Sequence, residues 1–361
     1  MLPSWQGTSA HAGRAPRAAC ALALLLLPAC SLLWPQSSRA ADSASKTLEL
    51  HGRIGIPAQA ILRGRRISLT LLQVGTPFSA RAWADSKGRF RFRKLPPGTY
   101  SLSILIPGAG EIQSTVDVTS SFTDAKGRVE KQFVFDEESL ARQARPPQQG
   151  LVSVRELSIP WRARREYEQA RQDLQRQKVE SATRHFQKAV GLAPQFMEAL
   201  NSLGVLSFQQ RDYIAAEAYF RKALETDEEA FEPLVNLGGT LLALGRLEEA
   251  IEVNSRAQRK RPGDALANAQ LGLSYYLAGN DEEALNYLLL TEQLDPAHFT
   301  NPQLALARIY LRLSEEEAAL EELQDFLERH PDSPEASRAK AMIGRIQQAM
   351  ESDAALFSGR D

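Results

Sequence analysis

No cysteine occurs after residue 30. Cys20 and Cys30 both sit in an N-terminal segment read below as a targeting signal. The body of the chain therefore has no thiol nucleophile and no disulfide framework, and packing alone must stabilise it. Histidine is also scarce. His11, His51, His185, His298 and His330 are scattered, without the spacing of metal ligands. There is no G-x-S-x-G elbow, phosphate-binding glycine loop or dinucleotide fingerprint. Catalysis is not expected, and neither is a metal or cofactor. No apolar run reaches the ~20 residues that a spanning helix needs, because the run from Ala21 is broken by Pro28. Nor is there an excess of charge. The chain has 43 Lys and Arg against 44 Asp and Glu, which excludes a nucleic-acid binder held by a bulk basic surface.

The neutral total hides three unequal parts. Residues 1–40 contain Arg14, Arg17 and Arg39 and no acid. Residues 47–135 hold 13 basic against 6 acidic side chains, and residues from 136 onward hold 26 against 37. The first part is predicted to be a signal peptide. Its positive start is followed by the apolar run Ala21–Leu27, and the small residues Ser38 and Ala40 suit cleavage after residue 40. The mature chain is then exported, periplasmic or associated with the cell envelope. An alternative stays open, because Leu27-Pro28-Ala29-Cys30 resembles a bacterial lipobox and would leave a lipoprotein anchored at Cys30. Pro28 and the apolar Leu32-Leu33-Trp34 depart from that pattern.

Residues 41–135 are predicted to form a small β-sandwich. Thr47–His51, Ile67–Leu71 and Tyr100–Ile104 alternate between two faces, and Lys131–Phe135 reads as a closing strand. The turn Asp85-Ser86-Lys87-Gly88 needs Gly88 at positive φ. It leads into Arg89-Phe90-Arg91-Phe92-Arg93, whose strict period of two buries both phenylalanines and places the three arginines on the opposite face. The run Asp85–Phe92 followed by Leu95-Pro96-Pro97-Gly98-Thr99-Tyr100-Ser101-Leu102 resembles the carboxypeptidase regulatory-like domain family. That resemblance implies a transthyretin-like sandwich, grouped with carbohydrate-binding-like folds, that works as a non-catalytic accessory and sometimes contacts glycans. Arg89, Arg91 and Arg93, with Arg63, Arg65 and Arg66 near in sequence, are a candidate surface for a glycan or anionic envelope polymer. The competing reading is a solvated sheet face.

After a linker at 136–160, which includes Arg145–Gly150 and a strand-like Leu151–Val154, a 34-residue period begins. Pro194, Pro262, Pro296 and Pro331 mark it, and counting back from them aligns Ala182, Ala216, Ala250, Ala284 and Ala319. Four residues further lie Phe186, Phe220, Asn254, Leu288 and Leu323. The pattern, with Leu203-Gly204, Leu237-Gly238 and Leu271-Gly272, resembles the tetratricopeptide repeat. Five repeats are read at 163–196, 197–230, 231–264, 265–298 and 300–333, with Phe299 inserted before the last. Helix 334–350 would cap them, and 351–361 would form a frayed tail. The fold class is thus a small β-sandwich followed by an all-α superhelical solenoid.

The resemblance implies a concave face built from the first helix of each repeat. By repeat position its candidate contacts are Asn201, Val205, Phe208, Val235 and Leu242, then Ala269, Leu273, Tyr276, Leu304 and Arg308. Tyr167, Arg171, Leu174, Leu266 and Arg312 belong to the same face. The Lys and Asn clamp that some members use for a C-terminal carboxylate has no counterpart here. The expected function is a scaffold binding a protein or peptide in the envelope, although the linker or the chain's own ends could fill the groove instead.

Overall fold

In a computed structural model the chain is described over residues 47–56, 66–135 (save 75, 77 and 108) and 158–358. The expected signal segment, Arg63, Arg65 and Leu151–Val154 lie outside these residues.

Among the described residues seven strands make two sheets: β1 (Leu48–Gly55), β2 (Ser68–Gln73), β3 (Ser79–Trp83), β4 (Arg89–Leu95), β5 (Gly98–Ile106), β6 (Gly110–Val118) and β7 (Arg128–Val134). One sheet has the order β4-β1-β7, the other β3-β2-β5-β6. The alternation in β4 plays out as expected, with Phe90 and Phe92 buried and Arg89, Arg91 and Arg93 exposed. Both rings join Leu50, Leu69, Leu71, Leu102, Ile104 and Val116 in the core between the sheets. Tyr100 is fully buried there, and its hydroxyl donates to the Pro96 carbonyl, which satisfies its one polar atom. Gly88 adopts φ 75°, as the turn requires. Asp85 completes that turn by accepting from the backbone N–H groups of Lys87 and Arg89, both at 2.9 Å.

Among the described residues eleven helices follow. They pair as α1 (Trp161–Gln175) with α2 (Val179–Leu192), α3 (Met197–Gln209) with α4 (Tyr213–Thr226), and α5 (Phe231–Ala243) with α6 (Leu247–Lys260). Then come α7 (Ala265–Ala278) with α8 (Asp281–Leu294), α9 (Pro302–Leu313) with α10 (Glu316–Arg329), and a last helix α11 (Ala336–Ser358). Four of the pairs fall inside the expected repeats, and α1 begins at Trp161, two residues before the expected start at 163. The last helix runs past residue 350, so 351–358 are helical where a frayed tail was expected.

The repeat residues do what close helix packing demands. Ala182, Ala216, Ala250, Ala284 and Ala319 have no exposed surface. Gly204 is where α3 meets α4. A Cβ there would stand 2.4 Å from the Phe220 ring, so no side chain fits. In the third repeat Asn254 replaces the large apolar residue and donates to Ser274 Oγ at 3.0 Å. Helix starts are capped by Asp212, Asp264 and Asn280, each accepting from the backbone N–H three residues on. Glu217 and Glu249, on two successive second helices, share a pair of arginines. Arg246 bridges Glu217 and Glu249, and Arg221 contacts the same two carboxylates.

Glu292 of α8 and Glu322 of α10 lie together near Glu321, Asp325 and Arg329. Burial first, and then repulsion from neighbouring carboxylates, push these two carboxyls up to about 7 and about 8. The folded chain therefore holds protons that the unfolded chain has already released. Their stabilising contribution is complete below the ordinary carboxyl range and is lost as pH rises through about 7 to 8. We expect the melting temperature of the chain to fall between about pH 4.5 and 8, and Glu322→Gln to flatten that fall. An equally steep fall in the variant would remove this explanation.

Candidate functional site

The four-stranded sheet turns one face toward the solenoid. Strand register places Arg81 beside Thr70, Ser79 beside Leu72, Thr115 beside Ser101 and Asp117 beside Thr99. At these positions the face is largely polar, and hydrogen bonds join it to the helices at one edge.

At the β6 edge the contact is tight. Thr115 donates to Asp295 Oδ2 from its backbone N–H at 3.0 Å and from its hydroxyl at 2.7 Å. Asp295 ends α8 and is buried, which raises its pKa despite the hydrogen bonds from Thr115 that oppose the shift. Asp117 accepts from Thr99 Oγ1 at 2.6 Å, and its other oxygen lies 2.9 Å from Nδ1 of His330, the residue ending α10. Ser121 donates to Asp332 at 2.7 Å. His298 is buried close by, with Nδ1 2.8 Å from Thr300 Oγ1, and desolvation pulls its pKa down to about 3, so it stays neutral. The inserted Phe299 stacks on His298 and lines a small space of about 150 Å³ with Thr99, Asp117 and His330.

At the other edge α1 approaches β3 beside an open space. Strands β2 and β3 and helices α1 and α3 enclose a cavity of about 610 Å³. The sandwich contributes Thr70, Leu72, Gln73, Phe78 and Arg81, and the solenoid contributes Arg171, Leu174, Asn201, Val205 and Gln209.

This arrangement sorts the groove residues inferred from the repeats. Asn201 and Val205, with Arg171 and Leu174, come together around the cavity. Phe208 is half-buried against Tyr213, with ring centroids 5.1 Å apart. Val235, Leu242 and Leu273 are 5%, 2% and 3% exposed and pack within the central solenoid core. Ala269 is also buried, and Leu304 packs against the core under α11. These five are inside the molecule because neighbouring first helices pack against each other more deeply than the repeat register alone conveys. Tyr276 lies under the Arg312 guanidinium, 4.9 Å from its ring centre, and Arg312 also pairs with Asp281 at 2.8 Å. Arg308 is half-buried on α9. Tyr167 packs on Phe186 and Phe196.

The arginine face of the sandwich is on the three-stranded sheet, away from the β2–β3 cavity. Arg89 pairs with Asp85 at 2.8 Å, and Arg93 lies 4.0 Å from Glu49. Arg91 has no ion pair among the described residues. A second turn of the same kind, Asp124-Ala125-Lys126-Gly127-Arg128, repeats the arrangement, with Arg128 holding Asp124 at 2.6 Å and lowering its carboxyl to about 2. The twin Asp-x-Lys-Gly-Arg spacing is visible in the sequence. It shows arginines used to close turns and balance local carboxylates, as a solvated face would.

Tetratricopeptide-repeat family models match residues 167–233, 207–271 and 300–343. The helical region is a tetratricopeptide-repeat solenoid. Among curated proteins, the cell division cycle protein 16 homolog of Homo sapiens is 30% identical over 115 residues, which are 29% of this chain and 18% of that protein. The match thus spans less than a fifth of that relative's length. Among solved structures, MamA from Desulfovibrio magneticus is 21% identical with a TM-score of 0.45, covering 49% of this chain and 99% of that one. YrrB, described as a tetratricopeptide-repeat protein with an unusual peptide-binding site, is 25% identical with a TM-score of 0.43, covering 49% and 90%. Among the described residues no helix is long and apolar enough to cross a membrane, and no group of His, Cys, Asp and Glu could hold a metal ion.

Proposed function

We propose that this chain is an exported, non-enzymatic scaffold that binds a protein or peptide partner in the bacterial cell envelope, with the sandwich serving as a docked accessory domain. The tetratricopeptide solenoid is a protein-interaction architecture, and that observation carries the reading. The pattern from Arg14 to Ala40 supports export, and the Asp85–Leu102 motif supports a carboxypeptidase regulatory-like sandwich. The open cavity beside α1 and α3 is where such a partner can reach the repeats.

A photo-crosslinking residue at Val205, in the native host, tests the reading against one at Ile214, which is exposed on α4. The expected result is a protein adduct from the envelope fraction at 205 and none at 214. N-terminal sequencing of the exported chain should begin at Ala41. Equal adducts at both positions, or none, would overturn the scaffold reading.

A further inference from the structure

The carboxyls between α8 and α10 surround a space of their own. It has a volume of about 450 Å³ and is bounded by Glu292 of α8 and by Glu321, Glu322, Asp325 and Arg329 of α10. Four carboxyls thus face one guanidinium. That guanidinium is already committed, since Arg329 Nε donates to both oxygens of Asp325, at 2.8 and 2.6 Å. Leu289 and Pro296 add an aliphatic wall. The volume is within the usual range of about 300–1,000 Å³ for ligand sites.

Two acceptors of this pocket are unused. Gln303 of α9 lines it and is fully buried. Its Nε2 donates to the Pro296 carbonyl at 3.0 Å and to Asp325 Oδ2 at 3.1 Å, which fixes the amide and leaves Oε1 without a partner. Glu292 Oε1 is also buried without a partner. Buried acceptors are rarely left unpaired, and both of these belong to one pocket. Among the described residues no group of acidic side chains could hold a metal ion, which favours a larger cation. A primary ammonium carries three N–H donors on a compact centre.

We propose that this pocket binds a primary alkylammonium group, the end of a lysine side chain or of a free polyamine. The ammonium donates to Glu292, Gln303 and Glu322, and its methylene stem lies against Leu289 and Pro296. The site spans the fourth and fifth repeats, apart from the cavity beside α1 and α3, and does not rest on the scaffold reading. When it is empty, Glu292 and Glu322 hold protons up to about 7 and about 8. Tyr310 of α9, beside both, is pushed above its ordinary range by burial and stays neutral. No group of α11, which packs on α10, lines the space. A bound cation therefore expels those protons, and binding tightens as pH rises from about 6 to 9. An alkylammonium keeps its own proton up to about pH 10.

Calorimetric titration of the full chain with butylammonium tests the proposal. Affinity should be about tenfold or more higher at about pH 8.5 than at about pH 6, with protons released to the buffer between them. Tetramethylammonium has the same charge and no N–H donor, and it should not compete. Glu292→Gln and Glu322→Gln keep the shape of the protonated side chains, and each should weaken binding at the higher pH about tenfold or more. Glu248→Gln, exposed on α6, should leave binding unchanged. Parallel titrations with Nα-acetyl-lysinamide and with spermidine separate the two sources, the tighter binder naming the one used. No binding, binding indifferent to pH, or equal binding of tetramethylammonium would overturn the proposal. So would binding that persists in both glutamine variants, or displacement of butylammonium by equimolar calcium. The pH and tetramethylammonium comparisons use the unaltered chain, so they decide the matter even where a variant fails to fold.

Discussion

Asp117→Ala releases the sandwich from the solenoid. The Asp117 carboxylate accepts from Thr99 within its own domain and from His330 across the interface, and both it and His330 are buried. Hydrogen bonds to charged groups contribute about 1.5–3 kcal/mol each, and alanine removes both while stranding the His330 ring. His330 Nε2 already lacks a partner, so the variant leaves no polar contact for that imidazole. Small-angle scattering should show a larger radius of gyration, and calorimetry should resolve a sandwich transition separate from that of the repeats. Asp117→Asn keeps an acceptor and should act in the same direction but less strongly. Unchanged scattering in Asp117→Ala would mean that Asp295 and Thr115 suffice for docking.

Phe220→Ala should break the solenoid at its second repeat. The ring is buried against Gly204 and joins the central core, and removing a buried phenylalanine costs about 3–5 kcal/mol. In a repeat array each unit is stabilised through its neighbours, so the loss uncouples α1–α4 from α5 onward. Chemical denaturation should change from one transition to two. Gly204→Ala attacks the same contact from the other side, because its Cβ would overlap the ring. Phe220→Leu placed in the Gly204→Ala background should recover part of the loss, a coupling that independent sites would not show. Strict additivity of the two substitutions would refute direct contact as the cause.

Much of this chain can be read without coordinates, for a physical reason. Helical repeats bury residues against neighbours a fixed distance away in sequence. The spacing of Ala182, Ala216, Ala250, Ala284 and Ala319 therefore reports contacts that the structure then displays. The alternation of Arg89–Arg93 works the same way, since a pleated strand offers two faces and only one is dry. The groove was harder to read. Repeat position names Asn201 and Val205, which the structure places on a cavity wall. It does not distinguish a side chain lining an open surface from one such as Leu273, which neighbouring helices have buried.

The sequence by itself determined the two architectures, the number of repeats and the chemistry of each face, because periodicity and alternation are local consequences of backbone geometry. Only the tertiary structure decided how the halves meet. Thr115 is paired with Asp295 at a separation of 180 residues, and Asp117 with His330 at 213. Each of these residues has an ordinary local role, as an outward strand position or a helix end. Their pairing depends on long-range shape and hydrogen-bond complementarity that no local pattern encodes. That docking closes one edge of the sandwich against the last repeats and leaves the β3 edge facing the first two.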